Sequence, residues 1–310
     1  MAVANLCIVV PALNEERGIA EAIRTICVHA QETALHFEVI VIDDGSTDGT
    51  WAVLQSLASE NSVLRAIRFS RNFGKEAAIA AGLDVAGGQA AIIMDADLQH
   101  PPDLIPIMVR LWQTEGWEVV EAVKTHRGRE LFVHTVLTRA FYTAAWWLTG
   151  YELQDASDYK LLDRRVVDAW RKLGERATFF RGLVSWLGFR HTQVFFSVPA
   201  RVQGQSQWSR RGLIALAIRA ITSFSALPLQ VVTALGFLTL LIAVLLGVQA
   251  VRLWYEGRAL PGVTTVVLLQ LILNGFLMLS LGIIGTYVAR IYDEVKARPR
   301  YVVRETISPD

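Results

Sequence analysis

Ile92-Ile93-Met94-Asp95-Ala96-Asp97 is an apolar run that ends in two carboxylates. In an extended chain, residues two apart point the same way, so Asp95 and Asp97 are expected to face one cation together. Hard divalent ions such as Mg²⁺ favour carboxylate oxygens and usually share their shell with substrate phosphates. A solvated turn is the plain alternative for two acids at this spacing; the position after a buried strand argues against it. Gln99, two residues further on, is a candidate third oxygen ligand.

Upstream, short apolar runs alternate with helical segments. Leu6–Val10 is continuously apolar, as a buried parallel strand requires. Phe37–Ile42, Leu64–Phe69 and Ala90–Met94 read as three further strands, with a helix opening at Asn14-Glu15-Glu16 and an Ala-rich helix after Lys75-Glu76. This alternation predicts an α/β fold with a mostly parallel sheet, whose ligands sit beyond the carboxyl ends of the strands. Asp43-Asp44-Gly45-Ser46 lies at such an end and reads either as acceptors for a ribose or base N–H, or as an Asx turn. The first turn, Pro11-Ala12-Leu13-Asn14-Glu15, has no glycine, and no P-loop is present, which excludes the dinucleotide-binding fingerprint. Residues 126–208 are less regular; a helix near 130–149, a strand or loop at 155–162, an aromatic helical stretch at 178–189 and a strand near 192–198 are expected.

The chain has 310 residues, 53% of them hydrophobic, and the excess sits mainly after residue 212. No charged residue falls between Arg219 and Arg252, nor between Arg258 and Arg290. A membrane-spanning helix needs about 20 apolar residues, so 229–251 and 263–289 are expected to cross a bilayer as a hairpin. Arg290, Lys296, Arg298, Arg300 and Arg304 follow, which by the positive-inside rule puts both termini and the catalytic domain in the cytoplasm, on a multi-pass inner-membrane protein. The expected division is a catalytic domain at 1–208, an interfacial helix at 209–228 carrying Arg210, Arg211 and Arg219, the two spans, and a basic tail at 290–310. Gly282, Gly285 and Ala289 would permit close helix packing and a homo-oligomer. The formal net charge of +1 gives no field for nucleic acid. Cys7 and Cys27 are expected as buried free thiols, and no cleaved signal peptide is expected at the N-terminus.

Val9-Val10-Pro11-Ala12-Leu13-Asn14-Glu15-Glu16, Asp43 to Thr50, Ser70-Arg71-Asn72-Phe73-Gly74-Lys75-Glu76 and Asp95-Ala96-Asp97-Leu98-Gln99-His100-Pro101-Pro102 together resemble family 2 glycosyltransferases of GT-A fold. Asp158-Tyr159-Lys160-Leu161-Leu162-Asp163-Arg164 and the two-span tail are similar to the bacterial polyprenyl-phosphate subgroup related to dolichol-phosphate mannose synthase. The resemblance implies a nucleotide-sugar donor, Mg²⁺ or Mn²⁺, and a polyprenyl phosphate acceptor. It implies that Pro11, Leu13, Glu15, Asp43 or Asp44, Lys75 and Asp95 surround the nucleotide, and that Asp95, Asp97 and Gln99 surround the metal. It implies a catalytic centre with Asp97, Asp158 and Arg201, where Asp158 (Asp155 being the second choice) lies near the anomeric carbon.

Arg127 and Arg129, by position, join Arg201 and Arg210 as candidates for the acceptor phosphate. The family's Arg-x-x-Gly-Glu-Ser-Lys loop is altered here to Arg201-Val202-Gln203-Gly204-Gln205-Ser206-Gln207, which removes one charge of each sign. UDP-glucose is the expected donor, with GDP-mannose and modified UDP-pentoses open. A processive polysaccharide synthase, which would need more spans, and an inactive scaffold, which would show decayed acidic motifs, are the other readings. Phe179, Phe180, Trp186 and Phe189 read either as an apolar lip for a prenyl chain or as core.

Overall fold

The computed structural model describes residues 5–124, 157–175, 179–196, 227–257 and 262–308. They form two compact units, 1–206 together with 298–310, and 207–297. The first unit is built on eight strands: β1 (Leu6–Ala12), β2 (Phe37–Asp43), β3 (Leu64–Phe69), β4 (Ala90–Ile93), β5 (Val119–Lys124), β6 (Lys160–Asp163), β7 (His191–Phe196) and β8 (Val303–Ile307). They lie in the order β7-β5-β6-β4-β1-β2-β3-β8. The central four, β3-β2-β1-β4, are parallel, while β6 and β8 run antiparallel to β4 and β3. Every residue of β1 is buried, because helices cover both faces of the sheet.

On one face Leu6, Ile8, Val10, Val39, Val41 and Ile92 pack with α1 (Ile19–Gln31), α2 (Thr50–Glu60) and α4 (Leu104–Glu115). The other face carries α3 (Lys75–Val85) and α5 (Arg164–Lys172). Gly82 makes the approach of α3 to β1 feasible, since a Cβ there would stand 2.1 Å from a Val9 methyl. The register sets Ala12 beside Asp43 and Val9 beside Ile93, so the loops after β1, β2 and β4 emerge along one rim.

Three local expectations are corrected. The first helix begins at Ile19, not at Asn14. Asn14 adopts a positive φ of 55°, and residues 14–16 bond instead to the loop after β2. Ser46 Oγ accepts from Asn14 N–H, Thr50 Oγ1 from Glu15 N–H, and Glu16 returns a carboxylate to Gly49 N–H. The fourth strand stops at Ile93, so Asp95 and Asp97 lie in a turn and owe their shared direction to it, not to strand alternation. The end of the segment read as a basic tail is an edge strand: β8 pairs with β3, Tyr301 stacks on Phe69 at 5.0 Å, and Trp51 Nε1 donates to Glu305 at 2.9 Å. Both cysteines are free and buried. The helix expected at 130–149 lies outside the described residues.

The second unit contains α7 (Leu227–Tyr255, 29 residues) and α8 (Val263–Val295, 33 residues). At 1.5 Å per residue these are about 43 and 50 Å long, against a hydrocarbon thickness of about 30 Å. Windows of mean hydropathy 2.7 and 1.8 make both long and apolar enough to cross a membrane. Phe237, Leu241, Leu245, Ile272 and Met278 are exposed along them.

Candidate active site

The rim where β1, β2 and β4 end holds a cavity of about 220 Å³. Pro11, Leu13 and Glu15 form one wall, Asp44 and Lys75 a second, and Asp95 and Asp97 a third. Gln99 is not on the wall; its backbone N–H donates to Asp97 Oδ1 at 3.0 Å and shapes the turn. Asp43 and Asp44 part company. Asp43 lies behind the wall, fully buried, accepting from Ser46 N–H, three residues on, at 2.8 Å and facing Arg68 at 3.4 Å. Asp44 faces the cavity and accepts from Phe73 N–H (2.6 Å) and Gly74 N–H (2.9 Å), fixing the loop that starts α3. Gly45 lets these loops sit back to back: its φ is +72°, and a Cβ would be 2.4 Å from Arg71 backbone.

Lys75 is the first residue of α3. Its ammonium lies 2.6 Å from Asp95 and 2.7 Å from Asp158, which adjoins β6. Arg181, in α6 (Phe180–Trp186), grips Asp158 with two N–H groups at 2.6 and 2.9 Å. Burial alone would raise the Asp158 carboxyl, but the Arg181 hydrogen bonds and the Lys75 charge outweigh it and hold the group well below the usual carboxylate range. Burial would lower Lys75; Asp158 and Asp95 more than offset it and raise its pKa. Asp158 is thus a fixed anion between two cations. Beneath it, buried Lys160 pairs with Glu121, which also accepts from Ser157 N–H at 2.8 Å.

His100 carries no role in the sequence beyond its motif, and the structure gives it a place. Its Nδ1 accepts from Asp95 N–H at 3.1 Å, and its ring stacks on Tyr159 at 5.1 Å. Burial lowers its pKa, consistent with a neutral acceptor. Arg181 and Glu76 were assigned no role by sequence; a charge between Phe180 and Gly182 was the available signal for Arg181. Phe180 is core, edge-on to Trp170 at 5.4 Å, whereas Trp186 is exposed. Arg127, Arg129, Asp155, Arg201, Arg210, Gln205 and Gln207 lie outside the described residues.

The donor set fits a hard divalent cation. Glu15 is raised first by burial and then by the charges of Asp97, Asp48 and Asp95, and a cation on Asp95 and Asp97 would relieve the latter part. Among the described residues no three His, Cys, Asp or Glu side chains converge to hold an ion alone. Two carboxylates completed by substrate phosphates is the arrangement Mg²⁺ commonly uses.

Residues 7–168 match the family model described as glycosyl transferase family 2. The chain is 38% identical over 306 residues to an uncharacterized glycosyltransferase of Synechocystis, covering 97% of this chain and 95% of that one. It is 33% identical over 304 residues to a bactoprenol glucosyl transferase of Shigella phage SfII, covering 97% and 98%. A solved structure of glucosyl-3-phosphoglycerate synthase from Mycobacterium tuberculosis with UDP superposes with a TM-score of 0.50 at 25% identity, over 70% of this chain and 80% of that one. The UDP-binding neighbour shares the mostly parallel sheet, and the match extends end to end in the relatives; this protein belongs to glycosyl transferase family 2 and is an enzyme of GT-A fold.

Proposed function

We propose that the protein transfers glucose from UDP-glucose to undecaprenyl phosphate, with inversion at the anomeric carbon, giving a lipid-linked sugar for cell-envelope glycosylation. The observation that carries this is the similarity to bactoprenol glucosyl transferases along nearly the whole chain, the apolar helices included. Two helices of spanning length suit an acceptor that resides in a bilayer. Both flanks of the hairpin belong to one folded unit that includes the β3–β8 pairing, which supports a topology with both on the same side of the membrane. The basic residues after the second helix favour the cytoplasmic side.

The cavity supplies the donor's needs. Pro11, Leu13 and Glu15 flank the nucleoside, and Asp44 holds the loop that aims Lys75 at the phosphates. Asp95 and Asp97 would hold the metal; when bound, it supplies Lewis-acid stabilisation of the leaving nucleoside diphosphate. A phosphate monoester has a second pKa near 6 and is largely ionised at neutral pH, so the acceptor needs no strong general base. Asp158, locked as an anion, serves as counter-ion and guide for Lys75 and Arg181, which offset the charge of two approaching phosphates. Arg127, Arg129, Arg201 and Arg210 are assigned to the acceptor phosphate, with Gln99 near the metal.

Purified protein with Mg²⁺, undecaprenyl phosphate and a panel of nucleotide sugars tests this, with the lipid read by mass spectrometry. A glucosyl-phosphoprenol from UDP-glucose is expected. A product only from GDP-mannose or a UDP-pentose would overturn the sugar, and no lipid product from any donor would overturn the acceptor.

A further inference from the structure

We infer that Glu76 is a positioning residue that holds Arg181 on Asp158 by anchoring the start of α6 to the start of α3. This inference rests on the proposed function for its kinetic reading. Glu76 Oε2 accepts from Phe180 N–H at 2.8 Å, across 104 residues of sequence. Phe179, which precedes α6, makes no side-chain hydrogen bond to cap it. The first N–H of a helix has no intrahelical acceptor, and here its acceptor lies on another element.

Four residues, adjacent in pairs, close a ring through Asp158. Lys75 and Glu76 start α3; Phe180 and Arg181 start α6. Lys75 reaches Asp158, Arg181 reaches Asp158 with its fork, and Glu76 reaches Phe180 N–H. The buried Phe180 ring against Trp170 supplies the apolar part of the anchor. A bidentate guanidinium–carboxylate pair tolerates little displacement of its backbone. With Glu76 shortened, Phe180 N–H loses its partner, α6 shifts, and Arg181 loses its fork geometry. Lys75 is then left as the main cation on Asp158 and is held away from the donor. Burial pushes the Glu76 carboxyl up to about 7. Its oxygen accepts the N–H in either protonation state, so glutamine is the conservative replacement.

The test uses the full-length protein in lipid nanodiscs. Glu76→Ala is expected to lower kcat by roughly 10- to 100-fold, the scale of an ångström misplacement, with the donor KM within about twofold of wild type. Glu76→Gln is expected to restore kcat. Glu76→Ala combined with Arg181→Gln is expected to be no slower than Arg181→Gln alone, because one residue acts through the other. Hydrogen exchange at the Phe180 amide is expected to speed up in Glu76→Ala and not in Glu76→Gln. Exchange needs no substrate, so it judges the anchor even where the wild type proves inactive on undecaprenyl phosphate, a result that would count against the proposed function alone. Multiplicative losses in the double variant, a Gln variant as slow as Ala, or an unchanged Phe180 amide would each overturn the inference.

Discussion

The two units of this chain handle polarity in opposite ways. In the sheet unit the central strands are largely buried, and the carboxylates Asp43, Asp44 and Asp158 each have a named polar partner: the Ser46 amide with the Arg68 charge nearby, the Phe73 and Gly74 amides, and Lys75 with Arg181. In the hairpin unit, apolar side chains such as Phe237, Leu241 and Leu245 are exposed. The sheet unit draws its stability from its own interior. Among its described residues the hairpin buries no such interior and, on the proposed function, takes its stability from lipid. Catalytic charge and acceptor access are thereby assigned to different parts of one chain.

The sharpest way to break this comparison is at the carboxylates. Asp95→Ala or Asp97→Ala is expected to cut turnover by about 10³-fold, comparable to losing a main electrostatic contact, with the thermal midpoint unchanged. Turnover near wild type in either variant would remove the metal assignment. The hairpin is next: Leu241→Lys is expected to cost about 2.5–3.5 kcal/mol of insertion, read as loss of protein from the carbonate-resistant membrane fraction. Undiminished retention would count against a span at this position.

A smaller effect is expected in the sheet unit. Gly82→Ala should lower stability by about 1–3 kcal/mol through overpacking against Val9. The gain in helix propensity, about 1 kcal/mol, reduces this, and kcat per folded molecule should hold. An unchanged melting curve would contradict the close approach of α3 to β1. The smallest effect concerns pH. Glu76 is raised from 4.5 to about 7 by burial, so the folded state binds the extra proton between those values. Its contribution is present below pH 4.5 and is lost as pH rises through 7. Glu76→Gln should therefore gain on wild type in thermal midpoint from pH 5 to pH 8; parallel curves would contradict this.

Much of the sheet unit is legible in the sequence because strands buried on both faces leave continuous apolar runs, as Leu6–Val10 and Val39–Ile42 do. The apolar helices are legible for a related reason: more than thirty consecutive residues without charge have few other uses. The edge strand β8 is not legible. Val303-Arg304-Glu305-Thr306-Ile307 is half polar because one side of it faces solvent, and its partner Arg68 lies 237 residues away from Glu305. The division of labour between Asp43 and Asp44 follows from which side of the strand end each faces, which sequence left open. Strand alternation predicts the pairing of Asp95 and Asp97, although the chain has left the strand before either. The Lys75–Asp158–Arg181 cluster joins three distant segments, and the packing of α5 against both α3 and α6 brings it together.

The most direct test of the account is the choice of acceptor. Protein in nanodiscs would receive UDP-glucose and Mg²⁺ with either undecaprenyl phosphate or soluble 3-phosphoglycerate, and UDP release would be measured alongside the glucosylated product. UDP release is expected to be matched one to one by glucosyl-phosphoundecaprenol, with none above background on phosphoglycerate. Glucosylated phosphoglycerate, with the lipid phosphate left unmodified, would contradict it.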